Sequence, residues 1–260
     1  MPEEILVERP APHIVRLVIN RAEKLNALTK PMWKQLGDIA TDLAKDDDIR
    51  CLMLRGAGEK AFGPGNDISE FANERSNVAQ ARSYGRIMHD TLTALRDFPA
   101  PTVAQIHGIC VGGGMEIAGC CDIRIAGAGS RFGAPIKNLG LVMAYGELEA
   151  LVGLVGPAAA KEILFEGRVF GAEEALAKGV LTRIVADEDV VDAAMQSAKT
   201  IAAGAPMVAR WHKRFIKRLG DPAPLTAAEY DEGFQCFGTE DFQTGYKAFL
   251  AKETPEFKNR

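Results

Sequence analysis

Short apolar runs and segments with helical spacing alternate along the first part of the chain. Ile14–Ile19, Cys51–Leu54 and Thr102–Ile106 are mostly apolar runs of the kind found in strands that are covered on both faces. Between them, Pro31–Leu43 and Val78–Asp97 repeat apolar side chains on one helical face. Strand, helix, strand, helix, strand in this order predicts βαβ units and a parallel sheet, so the predicted fold class is α/β.

Helical spacing continues without further strands after residue 185. Four segments carry it, and they are residues 187–203, 206–219, 224–237 and 240–252. No low-complexity linker separates these segments from the α/β part, so we expect one cooperative unit. Its two parts are an α/β core over residues 1–200 and a C-terminal helical region over residues 201–260.

The composition is that of an ordinary globular protein. The 260 residues include 47% apolar and 25% charged side chains, enough to bury a core without disulfides or metals. The net charge of −4 provides no general basic surface, so no nucleic-acid partner is expected. The longest apolar stretch, residues 139–160, is interrupted by Glu147 and Glu149, so no membrane span is expected. The acidic first residues lack a signal-peptide pattern, which favours a cytoplasmic protein.

The cysteines and histidines show no disulfide or metal pattern. The five cysteines are odd in number and include no CxxC pair, so we expect reduced, mostly buried thiols in a cytosol-like compartment. The four histidines are scattered and form no HExxH or other paired spacing. A structural or catalytic metal is therefore not expected.

Two glycine-rich turns follow two of the predicted strands. In the first, Ala61–Ile68, Gly65 can adopt a positive φ or allow a close approach of the backbone, and Asp67 can cap the next helix. In the second, His107–Ile117, three consecutive glycines open a helix. The unpaired N–H groups at such a helix start favour negative charge.

These turns have the residue types of an oxyanion hole, in which fixed N–H donors stabilise charge that develops on a carbonyl oxygen. Glu116 lies three residues after Gly113, in the first helical turn, so its carboxylate can move a proton beside a polarised carbonyl. The alternative is structural, because glycine-rich turns are common in α/β folds and a first-turn glutamate interacts favourably with the helix dipole. Neither G-x-G-x-x-G nor a Walker A loop is matched, since Ile117 replaces the required glycine and no Gly-Lys-[ST] follows.

Several segments of the chain match family motifs in order. Residues 20–28 resemble N-R-P-x-x-x-N-A-L, residues 61–68 resemble A-F-x-x-G-x-D-[IL], and residues 108–122 resemble G-x-x-x-G-G-G-x-E-[IL]-x-x-x-C-D. The other matches are F-x-x-P at 132–135, G-x-x-A-E-A-L-x-x-G-L-V from 171 to 185, and E-G-x-x-A-F-x-x-K-x-x-P-x-F at 241–257. These are the motifs of the crotonase superfamily, the enoyl-CoA hydratase/isomerase family, and the chain resembles it over nearly its whole length.

The resemblance implies a spiral of ββα units with a C-terminal helical region that makes homotrimers, often paired into dimers of trimers. It implies an acyl-CoA thioester substrate and no cofactor beyond the coenzyme A that the substrate carries. By motif position, the oxyanion donors are the N–H groups of Asn66 and Gly113, and Glu116 is the first catalytic glutamate.

The chain departs from the family pattern at the second glutamate, which usually follows the F-x-x-P proline. Ile136 stands there instead. Tyr145 and Glu147, in the next loop, are candidates to replace it. The structural alternatives are packing for Tyr145 and a solvent-facing helix start for Glu147. An apolar side chain at 136 also favours a pocket that excludes water near the α-carbon.

The resemblance also places residues around the acyl-CoA. By motif position these are Arg21, Lys24, Ala27, Ala61, Gly65, Asp67, Ile68, Gly112, Ile136 and Ala144. Arg21 and Lys24 are candidates for the CoA phosphates, because Ser69 stands where many members have a lysine. The stretch Glu70–Tyr84 is expected to form part of the acyl pocket wall.

The leading hypothesis is an enzyme that hydrates a 2-enoyl-CoA through an enolate-like state. Because Ile136 replaces the second glutamate, isomerisation, decarboxylation and thioester hydrolysis remain open alternatives that use the same oxyanion hole. A non-catalytic acyl-CoA-binding homologue is a further alternative. A dinucleotide-dependent oxidoreductase lacks its fingerprint.

Overall fold

The computed structural model describes residues 3–260, which form ten strands and ten α-helices. The strands are β1 (Ile5–Ala11), β2 (Ile14–Ile19), β3 (Cys51–Gly56), β4 (Ala61–Gly63), β5 (Thr102–Ile106), β6 (Ile109–Val111), β7 (Ile123–Gly127), β8 (Arg131–Gly133), β9 (Val169–Gly171) and β10 (Arg183–Val185). The α-helices are α1 (Lys30–Leu43), α2 (Phe71–Glu74), α3 (Val78–Arg96), α4 (Gly113–Gly119), α5 (Tyr145–Glu166), α6 (Ala172–Ala177), α7 (Val190–Ala202), α8 (Pro206–Leu219), α9 (Ala227–Glu232) and α10 (Glu240–Ala251).

The larger sheet has six strands in the order β1-β2-β3-β5-β7-β10. Strands β2, β3, β5, β7 and β10 are parallel to their neighbours, so the predicted parallel sheet is confirmed. Three strands of this sheet were not predicted, namely β1, which pairs antiparallel with β2, and the parallel strands β7 and β10. Because β2, β3 and β5 are buried on both faces, they read as the continuous apolar runs expected of such strands.

The smaller sheet carries both glycine-rich turns. Its order is β4-β6-β8-β9, with β4, β6 and β8 parallel. Each strand has three residues, which is too short for an apolar period to show in the sequence. Since β4 and β6 are parallel neighbours, the turns that follow Gly63 and Val111 leave the sheet at the same edge.

Two apolar layers enclose the larger sheet. On one side, α1 and α3 pack together through Trp33, Leu36, Tyr84 and Leu92, all of which belong to one buried cluster. On the other side, the small side chains of α7 pack against β3, β5 and β7. Helix α7 extends across residue 200, where the α/β core was expected to end.

The C-terminal helices differ from the prediction at one place. Residues 224–237 were predicted as one helix, but α9 covers only Ala227–Glu232. Thr226 caps α9 and exchanges hydrogen bonds with Glu229, so the helix cannot begin earlier. At Gly233 the chain turns, and a 3-10 turn over Gln235–Gly238 follows.

The five cysteines are unpaired, and four of them, Cys51, Cys110, Cys120 and Cys121, are buried as expected. Burial raises the pKa of the Cys51 thiol to about 12, which keeps it protonated and inert at neutral pH. Within residues 3–260, every helix is too short or too polar to cross a lipid bilayer.

Candidate active site

The two glycine-rich turns lie against each other at the edge of the smaller sheet. Gly65 has φ +94°, and a methyl group built on it would lie 2.5 Å from the nitrogen of Gly113. The approach therefore requires glycine at position 65. Gly112, with φ +50°, turns the chain into α4 and leaves the N–H of Gly113 at the first turn of the helix.

The segment around Asn66 is held in an extended conformation by Leu28. The Leu28 N–H donates to the Gly65 carbonyl at 2.8 Å, and the Asp67 N–H donates to the Leu28 carbonyl at 2.8 Å. Successive groups of an extended chain point in opposite directions, so the Asn66 N–H faces away from Leu28. Among the described residues, no backbone acceptor takes the N–H of Asn66 or of Gly113. Two free donors therefore come from adjacent turns, as an oxyanion hole requires.

Trp33 on α1 connects both halves of this arrangement. Its indole Nε1 donates to Oδ1 of Asn66 at 2.6 Å. Its ring also lies beside Gly113, where a methyl group would be 3.0 Å from the Trp33 ring carbon Cζ2. Trp33 is fully buried, so its position is fixed by the core. Trp33 belongs to the apolar helical pattern of Pro31–Leu43. An indole N–H in a core needs an acceptor, so a buried tryptophan is itself a signal of a polar partner.

The first glycine-rich turn, Ala61–Ile68, is also stabilised by an ion pair. Arg21 donates to Asp67 at 2.6 Å and to the Ala27 carbonyl at 3.0 Å, and Asp67 accepts from the N–H of Ser69, as its predicted capping role requires. The Ser69 and Arg21 hydrogen bonds lower the pKa of Asp67 to about 2, so it is ionised. Arg21 is thus engaged within the protein, whereas Lys24 is exposed.

Glu116 is buried in α4 beside the turns, with 8% of its surface exposed. Its Oε2 has no hydrogen-bond partner within the described part of the chain. Burial raises the pKa of Glu116 to about 8, and the negative charge of Glu147 adds to the rise. A carboxyl group that keeps its proton near neutral pH is suited to general acid–base catalysis.

Glu147 lies in the first turn of α5 and is also 8% exposed. Its Oε2 accepts the N–H of Ala144 at 2.9 Å, which fixes the side chain against the helix start. Burial raises the pKa of Glu147, although the Ala144 hydrogen bond and the positive charges of Arg75 and His89 oppose the rise. The structure therefore places Glu147 inside, not in solvent, and in electrostatic contact with Glu116.

Tyr145, the other candidate to replace the missing second glutamate, lies on the outside of the protein. Tyr145 is 92% exposed, so it neither packs in the core nor shares the buried position of Glu116. Tyr145 and Glu147 are two residues apart and therefore about 200° apart around the helix, so only one of them can face inward. Ile136 is half-buried against the main apolar cluster.

The remaining predicted binding residues fall into two groups. Ala27, Ala61, Gly65 and Gly112 are buried in or beside the turns. Ile68 and Ala144 are exposed, as expected of residues at the rim of a pocket.

A small cavity of about 10 Å³ lies against Glu116. It is otherwise lined by apolar or small residues of α4, α5 and the preceding loop, namely Met115, Gly119, Met143, Ala150, Leu151 and Leu154. This volume is near the lower limit for one water molecule. Within residues 3–260, no group of three or more His, Cys, Asp or Glu side chains is placed to hold a metal ion.

Comparison with known proteins agrees with this geometry. The profile of the enoyl-CoA hydratase/isomerase family matches residues 11–260. The chain belongs to this family. It is 34% identical over 247 residues to the short-chain-enoyl-CoA hydratase of Clostridium acetobutylicum, covering 94% of each chain. It is 31% identical over 257 residues to the crotonyl-CoA hydratase of Syntrophomonas wolfei, covering 98% of each.

Solved structures of the family superpose on the whole chain. An enoyl-CoA hydratase/carnithine racemase from Magnetospirillum magneticum is 44% identical, with a TM-score of 0.97 and coverage of 100% of this chain and 97% of that one. The enoyl-CoA hydratase of Bacillus anthracis is 30% identical, with a TM-score of 0.91 and coverage of 99% and 100%. The fold is therefore the crotonase fold, as the motifs indicated, and the protein is an enzyme of the enoyl-CoA hydratase/isomerase family.

Proposed function

We propose that this enzyme adds water to the double bond of a 2-enoyl-CoA. The observation that carries the proposal is the coupled pair of buried carboxyl groups, Glu116 and Glu147, together with the two free N–H groups of Asn66 and Gly113. The N–H groups bind the thioester oxygen and stabilise the negative charge that develops there. The hydroxyl of water is added to C3 and a proton to C2, so the reaction needs one base and one acid.

Glu147 and Glu116 can supply these two roles. Burial and the negative charge of Glu147 raise the pKa of Glu116 to about 8, so Glu147 loses its proton before Glu116 as the pH rises. The singly protonated pair thus holds a carboxylate at Glu147 to take a proton from water and a carboxylic acid at Glu116 to protonate C2. In this scheme Glu147 takes the place of the glutamate that Ile136 replaces, from a different position in the sequence.

The test is the loss of the conjugated enoyl-thioester absorbance of crotonyl-CoA. Removing either member of an acid–base pair costs about 10²–10⁴ in rate, so we expect such losses for Glu116→Gln and Glu147→Gln. Glu149→Gln is the matched control, because Glu149 lies on the same helix but is exposed and pairs with Arg96 at 3.2 Å. Tight acyl-CoA binding without turnover, unchanged by Glu116→Gln, would instead indicate a non-catalytic binding protein.

Double-bond isomerisation is the second candidate function. The observation that favours it is the apolar surrounding of Glu116, in which a cavity of about 10 Å³ leaves little room for water. One carboxylate would then carry a proton between C4 and C2. Isomerisation of a 3-enoyl-CoA produces the conjugated absorbance, whereas hydration of a 2-enoyl-CoA removes it, so the same assay with these two substrates distinguishes the two reactions.

We also propose that the protein forms a homotrimer or a dimer of trimers through its C-terminal helices. Apolar side chains on α8 and α10 are exposed in the single chain, including Ile216 (71%), Phe249 (82%) and Leu250 (74%). Large exposed apolar patches mark protein–protein contacts, and these side chains are the candidates for one. Phe249 also occupies an apolar position of the C-terminal family motif, although it has little contact within its own chain.

A cytoplasmic location and the absence of a separate cofactor remain part of the proposal. The buried, protonated thiols suit a reducing compartment, since nothing in their environment activates them. Full activity of protein that has been dialysed against chelator and desalted would support cofactor independence. Recovery of activity only after adding back a metal or nucleotide would contradict it.

A further inference from the structure

Arg75 is a half-buried cation near Glu116 and Glu147 that the proposed reaction does not use. It follows the short helix α2, in the stretch expected to line the acyl pocket. Its guanidinium carbon lies 5.0 Å from the ring centre of Phe71 and 4.9 Å from that of Tyr84. One guanidinium nitrogen is 4.0 Å from the sulfur of Met88. These contacts hold the charged group against the inner face of α3.

Helix α3 packs against both helices of the carboxyl pair, α4 with Glu116 and α5 with Glu147. Tyr84 and Met88 are buried in the same apolar cluster as Met115, the neighbour of Glu116. The next residue of α3, His89, packs on the start of α5, where a methyl group on Gly146 would lie 2.0 Å from its Nδ1. Gly146 immediately precedes Glu147. Arg75 is also close enough to the carboxyl pair for its positive charge to lower the pKa of both Glu116 and Glu147 against the effect of burial.

The guanidinium of Arg75 has five N–H donors. Within residues 3–260 none of them reaches an oxygen atom, and Arg75 forms no ion pair. Apart from Glu116 and Glu147, the nearby acids are engaged elsewhere. Asp67 pairs with Arg21 at 2.6 Å, and Glu74 pairs with the side chain of Lys30 at 2.7 Å.

Glu70 is also engaged, because its Oε2 accepts the Lys30 N–H at 2.8 Å and the Tyr84 hydroxyl at 3.4 Å. A half-buried arginine between aromatic rings, with free donors, is a site for a planar anion. We propose that Arg75 binds a carboxylate at the far end of a short acyl chain. On the proposed hydratase function, the substrates are then 2-enoyl-CoA thioesters of dicarboxylic acids.

The CoA phosphates are the other source of an anion, and the geometry favours the acyl carboxylate. Arg75 lies on the side of Glu116 and Glu147, which act on C2 and C3 of the acyl chain. Lys24, the candidate for the phosphates, is exposed on the segment that precedes Asn26. An arginine that bound phosphate would contribute equally to every acyl-CoA, whereas one that binds the acyl carboxylate would contribute only to dicarboxylic substrates.

The experiment compares two substrates that differ by one carboxylate. These are crotonyl-CoA and glutaconyl-CoA, assayed with the wild-type enzyme and with Arg75→Met. A charge-assisted hydrogen bond contributes roughly 10- to 100-fold in affinity, so we expect Arg75→Met to lower kcat/KM for glutaconyl-CoA by about that factor relative to crotonyl-CoA. Arg75→Lys keeps the charge but not the planar fork, so it should recover part of the difference. Arg82→Met, at an exposed position on α3, is the control.

Binding of saturated analogues makes the result independent of turnover. Calorimetric Kd values for glutaryl-CoA and butyryl-CoA should show a preference for glutaryl-CoA that Arg75→Met removes. If the enzyme hydrates neither enoyl-CoA but this preference is present, the proposed hydratase function fails and the role of Arg75 stands. Equal losses for both members of each pair, or no preference in the wild-type protein, would overturn the role of Arg75.

Discussion

At the scale of single residues, Gly65 determines whether the two oxyanion donors can be adjacent. Its φ of +94° is reserved for glycine, and a side-chain carbon there would lie 2.5 Å from the Gly113 nitrogen. Such a carbon would occupy the space in front of one donor. On the proposed function, the close approach is thus required for catalysis as well as for packing.

Gly65→Ala should therefore reduce kcat for 2-enoyl-CoA turnover by about 10²–10³, which is the usual effect of losing one oxyanion donor. Gly140→Ala is the matched control, because Gly140 also has a positive φ, +67°, but has no atom within 4 Å of the added carbon. Both variants place a side chain at a positive φ, so thermal melting should show a loss of stability from that source in each. Equal kcat values for the two variants would show that Gly65 is not needed for the oxyanion donors to act.

The pH dependence of the reaction tests the roles of the two glutamates. The pKa of Glu116 is about 8, so kcat/KM should fall as pH rises above that value and the acid loses its proton. The pKa of Glu147 is raised, so the acidic limb should lie above the usual range of a glutamate. Initial rates of crotonyl-CoA loss between pH 5 and 10 provide the profile.

Glu147→Gln tests the direction in which the charge of Glu147 shifts the pKa of Glu116. It removes a negative charge that raises the pKa of Glu116, so the alkaline limb of the residual activity should move to lower pH. Glu149→Gln should leave the limb in place, since Glu149 is exposed. A limb that does not move in Glu147→Gln would show that the two carboxyl groups titrate independently.

At the scale of secondary-structure elements, α1 contributes to a site that lies on two loops. The Trp33–Asn66 hydrogen bond of 2.6 Å joins α1 to the first turn, while the Trp33 ring packs on Gly113 in the second. Loops acquire precise geometry when buried side chains hold them, and here one indole holds both.

A double-mutant cycle measures this hydrogen bond. Trp33→Phe and Asn66→Ala each remove it and leave the Asn66 N–H in place, so their effects on kcat should be strongly non-additive. Bound cinnamoyl-CoA should also lose part of its absorbance red shift in both variants, because that shift reports polarisation of the thioester carbonyl. Additive effects on kcat with an unchanged red shift would show that Trp33 only packs in the core and does not position Asn66.

Local signals in the sequence predicted some elements and missed others. Strands β2, β3 and β5 and helices α1 and α3 have long apolar patterns, and Asp67 has a side chain that caps locally, so each could be recognised. The strands of the smaller sheet have three residues each and lack a readable period.

Some residues of the candidate site could also be predicted from local sequence signals, and others could not. The glycine turns and Glu116 follow from motif and spacing. Whether Tyr145 or Glu147 faces inward depends on the rotation of α5 about its axis, which is set by packing on α3 and α4 and not by the residues of the loop. Arg75 carries no local signal at all, because its position depends on Phe71, Tyr84 and the fold of the intervening turn.

At the scale of the whole molecule, the C-terminal region stabilises the chain end and leaves an apolar surface. Arg50 donates to the carbonyl groups of Ala202 at 3.1 Å and Phe257 at 2.7 Å, and Asp241 accepts the N–H groups of Lys258 and Asn259. The tail is therefore fixed by polar contacts. The apolar side chains of α8 and α10 take little part in these contacts and remain available for a second copy of the chain.

Phe249→Glu should separate the subunits if α10 contributes to the proposed trimer contact. A charge at the centre of an apolar contact would be buried without a partner, and this is strongly unfavourable. Light scattering after size exclusion should show the mass of the trimer or hexamer for the wild-type protein and a lower mass for the variant. Gln243→Glu adds the same charge to an already polar, exposed position of α10 and should leave the mass unchanged. A wild-type protein of 28.0 kDa in solution would contradict the assembly outright, whereas an oligomer that survives Phe249→Glu would place the contact on another surface of the chain.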